Sequence, residues 1–168
     1  INGKHWFFTP KNKIKLHLAE INEIANVPEV KIQSTDIEAF ELDSSYPVNF
    51  IEYPENTIWV ISNRLQLLKI QLNNQLQVID RELISLSDNS SGFSEQNFKK
   101  LAFAIDKDQH IWVAGNGTLL SYNIQTGEKL NLNSRNRKEI AIQQAQQLMI
   151  DNTNILWLGT LNHGLYKM

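Results

Sequence analysis

The sequence predicts an all-β chain assembled from repeated antiparallel units, and three observations carry that expectation. The only tryptophans, Trp6, Trp59, Trp112 and Trp157, recur at intervals of 53, 53 and 45 residues. Around them, apolar residues alternate with polar ones at a period of two, the signature of strands with one face buried. Turn clusters, "YPEN", "DKDQ", "IQTGE", "DNSSG" and "DNTN", separate the alternating runs at the spacing of short antiparallel strands. Self-similarity at a fixed period points to a repeat architecture.

Aligned on their tryptophans, the four copies read "HWFFTPKNKIKLHL", "IWVISNRLQLLKIQL", "IWVAGNGTLLSYNI" and "LWLGTLNHGLYKM". Eight positions beyond each Trp stands an aliphatic residue, Ile14, Leu67, Leu120 or Leu165, which predicts one register throughout. In the first copy Ile14, Leu16 and Leu18 alternate with Lys13, Lys15 and His17. This alternation makes the lysines at 4, 11, 13 and 15 the solvated side of a strand, not a basic patch. In the second copy Leu68, Ile70 and Leu72 alternate with Lys69 and Gln71. Ser85, Ser87, Ser90, Ser91 and Ser94 follow in what reads as a long connector with no nucleophile-elbow pattern.

The third copy can be followed through a complete unit. A strand "KLAFAI" ends at Asp106, whose carboxylate is expected to accept a backbone N–H two residues on and so stabilise the turn "DKDQ". The strand "HIWVAG" follows, then a loop at Asn116 and Gly117, where both residues tolerate positive φ. After "TLLSYN" and the turn "IQTGE", the run "KLNLN" supplies a fourth strand. Asp151 repeats the place of Asp106, six residues before its Trp, whereas the second copy carries Tyr53 there. The segment "RKEIAIQQAQQLMI" has helical propensity, but the repeat register makes its second half the strand entering Asp151.

Four antiparallel strands in about 45 residues form one blade of a β-propeller. The whole chain, 1–168, therefore reads as a β-propeller fragment of about four blades of four-stranded antiparallel sheet, with the first and last blades incomplete. Each Trp is expected to fill the wedge between neighbouring blades. An unclosed arc would leave strand edges exposed, so we expect it to belong to a longer chain or to pair with a second copy as a homodimer.

"AIDKDQHIWVAGNGTLLSYN" and "MIDNTNILWLGTLNHGLYKM" resemble the two-component regulator propeller repeat. The fourth copy carries Asp151, Trp157, Gly159, Thr160, Gly164, Leu165 and Tyr166 in the order of that repeat. The third keeps Asp106, Trp112 and Gly115 but has Asn116 in place of the Thr. The resemblance implies the periplasmic, ligand-sensing portion of a membrane-anchored bacterial signalling protein with a cytoplasmic output such as a histidine kinase or diguanylate cyclase. Carbohydrate fragments are the ligands it suggests. Propeller topology brings the loops between second and third strands to the funnel face, so Arg64, Asn116, Asn162 and His163 become the candidate ligand-binding residues. Lys11, Asn12 and Asn63 lie in the same kind of loop. The remaining residues singled out, Trp6, Trp59, Trp112, Trp157, Asp106, Asp151, Gly159 and Gly164, are expected to be structural.

Composition excludes other classes. With 42% hydrophobic and 20% charged residues the chain is globular in balance, and 16 basic against 18 acidic side chains leave no electrostatic footprint for nucleic acid. The absence of cysteine removes disulfides, thiolate catalysis and cysteine-based zinc sites. His5, His17, His110 and His163 lack the short spacing of a zinc site. No paired acid–base constellation recurs, so no enzyme, metal or cofactor is expected; the alternatives to a sensor are an interaction scaffold and, less favoured, a propeller lyase or hydrolase. No apolar run reaches the length of a membrane-spanning helix, and the chain opens on Ile1, so it reads as an excised soluble piece.

Overall fold

The computed structural model describes residues 3–10, 14–24, 27–37, 47–87, 101–115, 118–132 and 145–168; at some strand positions, Trp6 among them, it describes the backbone alone. The described residues are all-β, with four antiparallel sheets whose strands follow one another in chain order. Sheet I holds β1 (Gly3–Pro10), β2 (Ile14–Ile24) and β3 (Val27–Ile37). Sheet II holds β4 (Pro47–Glu52), β5 (Thr57–Ser62), β6 (Gln66–Leu72) and β7 (Val78–Ser85). Sheet III holds β8 (Ala102–Ile105), β9 (His110–Gly115), β10 (Thr118–Asn123) and β11 (Lys129–Asn131). Sheet IV holds β12 (Ala145–Ile150), β13 (Leu156–Thr160) and β14 (Leu165–Lys167).

Each sheet carries one tryptophan. Trp59, Trp112 and Trp157 stand on the second strands of sheets II, III and IV, and Trp6 stands on β1 opposite Leu18. The outer sheets are three-stranded among the described residues, as expected for incomplete blades. Ala145–Ile150 is a strand, so the repeat register overrides helical propensity there. Ser85, read from the sequence as part of a connector, is instead the last residue of β7. Ser90, Ser91 and Ser94 lie outside the described residues.

The sheets stack in sequence order and bury their faces against one another. Between I and II, Leu18 packs with Ile58, Val60, Leu68, Ile70 and Leu72. The opposite face of β5 presents Trp59 and Ile61 to sheet III, where they meet Ile111, Val113, Leu120 and Tyr122. The other face of sheet III, with Ala102, Ala114 and Leu119, packs on Ala145 and Leu158 of sheet IV, with Trp112 at the margin. The first strands line one side of this stack: β8 contacts both β4 and β12. Asn49 on β4 also donates through Nδ2 to the carbonyl of Leu101, 3.1 Å away.

The register is not constant. Trp59 and Trp157 pair across their hairpins with residues ten positions on, Lys69 and Lys167, whereas Trp112 pairs with Ser121, nine on. Because side chains alternate across a strand, this one-residue difference moves the aliphatic residue eight beyond the Trp to the other face. Leu67 therefore shares the face of its Trp, but Leu120 points back toward sheet II.

The sheets form an open arc. The face of sheet IV that carries Trp157 also carries Met149 and Leu165, which pair with Trp157 and Gly159. Leu165 is 63% exposed and Met149 56%, whereas Leu67, the counterpart of Leu165 in sheet II, is fully buried against sheet III.

Candidate functional site

Antiparallel order sends alternate connections to opposite ends of the stack. One end collects the turns before the tryptophan strands, and it is built on a repeated device. Each turn has a residue in the left-handed region three positions before its Trp: Asn56 (φ 63°), Gln109 (φ 63°) and Asn154 (φ 67°). In sheets III and IV the amide of that residue donates to the carbonyl of Asp106 or Asp151, at 3.2 and 3.0 Å. Each is a three-residue hairpin loop, a turn closed by a left-handed residue, which keeps the strand twist while reversing the chain.

The aspartates tie this turn to the indole. Trp112 Nε1 donates to Asp106 Oδ2 at 2.8 Å, and Trp157 Nε1 donates to Asp151 Oδ2 at 2.7 Å. Asp106 Oδ1 accepts the amide of His110, four residues on, at 2.8 Å, and not the expected amide two residues on. Asp151 Oδ1 accepts both kinds, from Thr153 and Ile155. In sheet II, where Tyr53 replaces the aspartate, Trp59 Nε1 donates to the backbone carbonyl of Tyr53 at 2.7 Å. The indole N–H is thus satisfied in all three units, twice by a carboxylate and once by the main chain.

His110 extends the network. Asn123 Oδ1 accepts the amides of Gln125 and Thr126, which leaves its Nδ2 to donate to His110 Nε2 at 3.1 Å. The ring proton is thereby assigned to Nδ1, which faces Asp106 Oδ1 at 3.3 Å. Every polar atom of this dyad is engaged in holding turns, so it is a structural network.

Hydrogen bonds hold the Asp151 carboxyl well below its ordinary value of 3.8. The Thr153 hydroxyl contributes most, followed by the Trp157 indole and the Ile155 amide. A carboxyl whose folded pKa is depressed adds stability above its unfolded pKa and loses it as pH falls toward the folded value. Stability is therefore expected to decline through the acid range below about pH 4, the titration range of an unperturbed carboxyl. Asp151→Asn should flatten that decline, and urea midpoints measured between neutral and acid pH check it.

A seam joins the turns of sheets III and IV. Asn154 Oδ1 accepts the Lys107 amide at 2.9 Å, its Nδ2 donates to Asp108 Oδ2 at 2.8 Å, and Lys107 Nζ donates to the carbonyl of Asn152. Pro54 occupies the place of Lys107 in sheet II and has no N–H to offer. Asn154→Ala should cost about 1 to 3 kcal/mol, because it removes two exposed side-chain hydrogen bonds and puts alanine at a positive φ that asparagine tolerates better. It should also raise amide exchange at Lys107, which hydrogen-exchange measurements read directly.

The other end carries the loops that the sequence nominated for ligand. The loop between β13 and β14 is closed by Thr160, whose Oγ1 accepts the His163 amide and donates to the carbonyl of Gly164, both at 3.0 Å. Gly164 has φ 81°, a conformation that suits glycine, and a Cβ on Gly159 would meet that of Gln147 across the strand at 3.4 Å. Asn162 and His163 on this loop are exposed. In sheet II, Ser62 stands where Thr160 stands in sheet IV, and Arg64 follows it, half-buried. Arg64 shares an end with Asn162 and His163, but sheet III stands between them. Asn116, Lys11 and Asn12 lie outside the described residues.

Among the described residues no three His, Asp or Glu side chains converge as metal ligands, and no helix is long and apolar enough to cross a membrane. Neither a protein-family model nor a curated protein sequence matches the chain. Its fold is similar to a solved structure, the extracellular domain of a hybrid two component system from B. thetaiotaomicron. The TM-score is 0.50 at 13% identity, over 95% of this chain and 22% of that one. The fold is that of a propeller fragment. The chain spans about a fifth of the length of the protein it matches.

Proposed function

We propose that this chain is part of an extracytoplasmic sensing propeller of a bacterial signalling protein of the two-component type. On this reading it binds a small molecule or oligosaccharide at the loop end and passes the signal to a cytoplasmic output. The observation that supports this most is the likeness, over nearly the whole chain, to the extracellular domain of a hybrid two component system. The Asp–Trp turn, repeated in sheets III and IV with the same donor and acceptor atoms, adds to it. These are the residues on which the resemblance to the two-component regulator propeller repeat rests. The role is non-catalytic: the carboxylates that recur are consumed in holding indoles and turns.

A thermal-shift screen against neutral and acidic oligosaccharides tests the reading. A ligand that binds only the folded state adds about 2.7 kcal/mol at a hundred times its dissociation constant, a readily measured shift. A flat response across the panel would favour an interaction scaffold instead. One observation favours that second reading: the apolar face of sheet IV, with Met149 and Leu165 exposed beside Trp157, is a surface another sheet could cover. Further blades or a second copy are the partners proposed for it.

A further inference from the structure

We propose that His110 is a proton-operated latch: protonating its ring frees the turn between β10 and β11 at the edge of sheet III. The inference goes beyond the sensing reading and does not depend on it. The turn is pinned by Asn123, whose Oδ1 accepts the amides of Gln125 and Thr126 at 2.9 Å. That leaves Nδ2 to face His110 Nε2 at 3.1 Å, a contact that requires an unprotonated ring nitrogen. The corresponding turn of sheet II, between β6 and β7, uses the same device with a partner that cannot titrate. There Asn73 Oδ1 accepts the amides of Gln75 and Gln77, and its Nδ2 donates to Gln77 Oε1, all at 2.9 Å.

An imidazolium carries a proton on both nitrogens, so protonation sets two donors against each other across the 3.1 Å contact. Asn123 cannot answer by turning its amide over, because its NH₂ would then face the two amides that Oδ1 now holds. The ring is kept in place from the other side. Its Nδ1 lies 3.3 Å from the Asp106 carboxylate, itself fixed by the Trp112 indole and the His110 amide, and that contact strengthens when the ring is charged. The side that yields is therefore Asn123. Among the described residues Asp106 is the one charge in contact with the ring. Lys107 and Asp108 of the same turn are bound to Asn152 and Asn154, and Asp151 of the neighbouring turn is taken by Thr153 and Trp157. β8 and β12 carry no titratable side chain, and Glu128 and Lys129, beyond the β10–β11 turn, are exposed. The ring is 34% exposed, so protons reach it from solvent. What it releases is weakly held: β11 has three residues, all exposed, and short solvated pairings are the first to open.

Amide exchange and histidine ring-proton shifts, followed by NMR as pH is lowered from about 8 to about 5, the span over which histidine changes charge, test the proposal. Protection factors, which remove the intrinsic pH dependence of exchange, are expected to fall at Gln125 and Thr126 in step with the His110 ring. The expected fall is about threefold to tenfold, the weight of one ordinary hydrogen bond. Gln75 and Gln77 should stay level. His110→Gln should level the response at Gln125 and Thr126 as well. Asn123→Asp, which keeps Oδ1 for the turn and offers Oδ2 to the charged ring, should reverse it. Protection that stays level while His110 titrates, that falls equally at Gln75 and Gln77, or that falls in Asn123→Asp as in the wild type would overturn the latch. So would a His110 ring that keeps one charge state throughout. The comparison of the two turns needs only the wild-type chain, so it decides the matter even where a variant fails to fold.

Discussion

Replacing Trp59 by alanine should cost about 3 to 5 kcal/mol of unfolding free energy, the range for removing a buried aromatic side chain. The indole is 1% exposed, packs across the gap onto Tyr122 with ring centroids 6.4 Å apart, and lies under the Lys69 ammonium. Its loss opens a cavity between two sheets, so neither sheet can relax into it alone. It also leaves the carbonyl of Tyr53 without its donor. Trp157 stands at the same repeat position but on the open face of sheet IV, half-buried, so Trp157→Ala should cost well under half as much. Urea denaturation of the two variants, compared at a common slope, reads the difference. Equal losses would mean that the wedge between sheets II and III is not what holds Trp59.

Asp106→Ala should be the next most damaging change, at about 2 to 4 kcal/mol, because it strands several donors at once. The carboxylate is 8% exposed and accepts from the His110 amide, the Trp112 indole and the His110 ring. Removing one partner of a buried hydrogen bond leaves the other with its full desolvation cost, and here three groups share the loss. Asp106→Asn keeps one carbonyl oxygen but turns an N–H₂ toward another donor, so part of the loss should remain. Replacing Tyr53 by alanine should leave the indole bond of sheet II intact, since the acceptor there is main chain. Denaturant midpoints for the three variants separate a side-chain staple from a main-chain one.

The strands around the third Trp were fully legible. His110–Gly115 and Thr118–Asn123 fall where alternation and turn residues place them, because both faces of these strands meet other sheets and the pattern is enforced by packing. The left-handed residues at 56, 109 and 154 stand as an Asn or Gln three positions before Trp59, Trp112 and Trp157, but no single copy announces them. The atoms that satisfy the indoles were only half legible. Equivalent aspartates pointed to a shared role, yet nothing in the residue Tyr53 says that its carbonyl takes over. Register was misread at Leu120 because hairpin length is set by loop geometry, and a difference of one residue is invisible to spacing counted along the chain. Among the ligand candidates, residue type and loop position selected Arg64 together with Asn162 and His163. Only burial separates the first from the solvated pair.

Successive tryptophans belong to successive sheets, with Trp59 facing sheet III and Trp112 at the margin of the contact with sheet IV. Through-space nuclear Overhauser contacts from the Trp59 ring measure this most directly. Cross-peaks to Ile111 and Tyr122 of sheet III, alongside the cross-strand contact to Lys69, are the predicted result. A Trp59 ring that contacts only residues of its own sheet, or one that shares a strand ladder with Trp112, would contradict it.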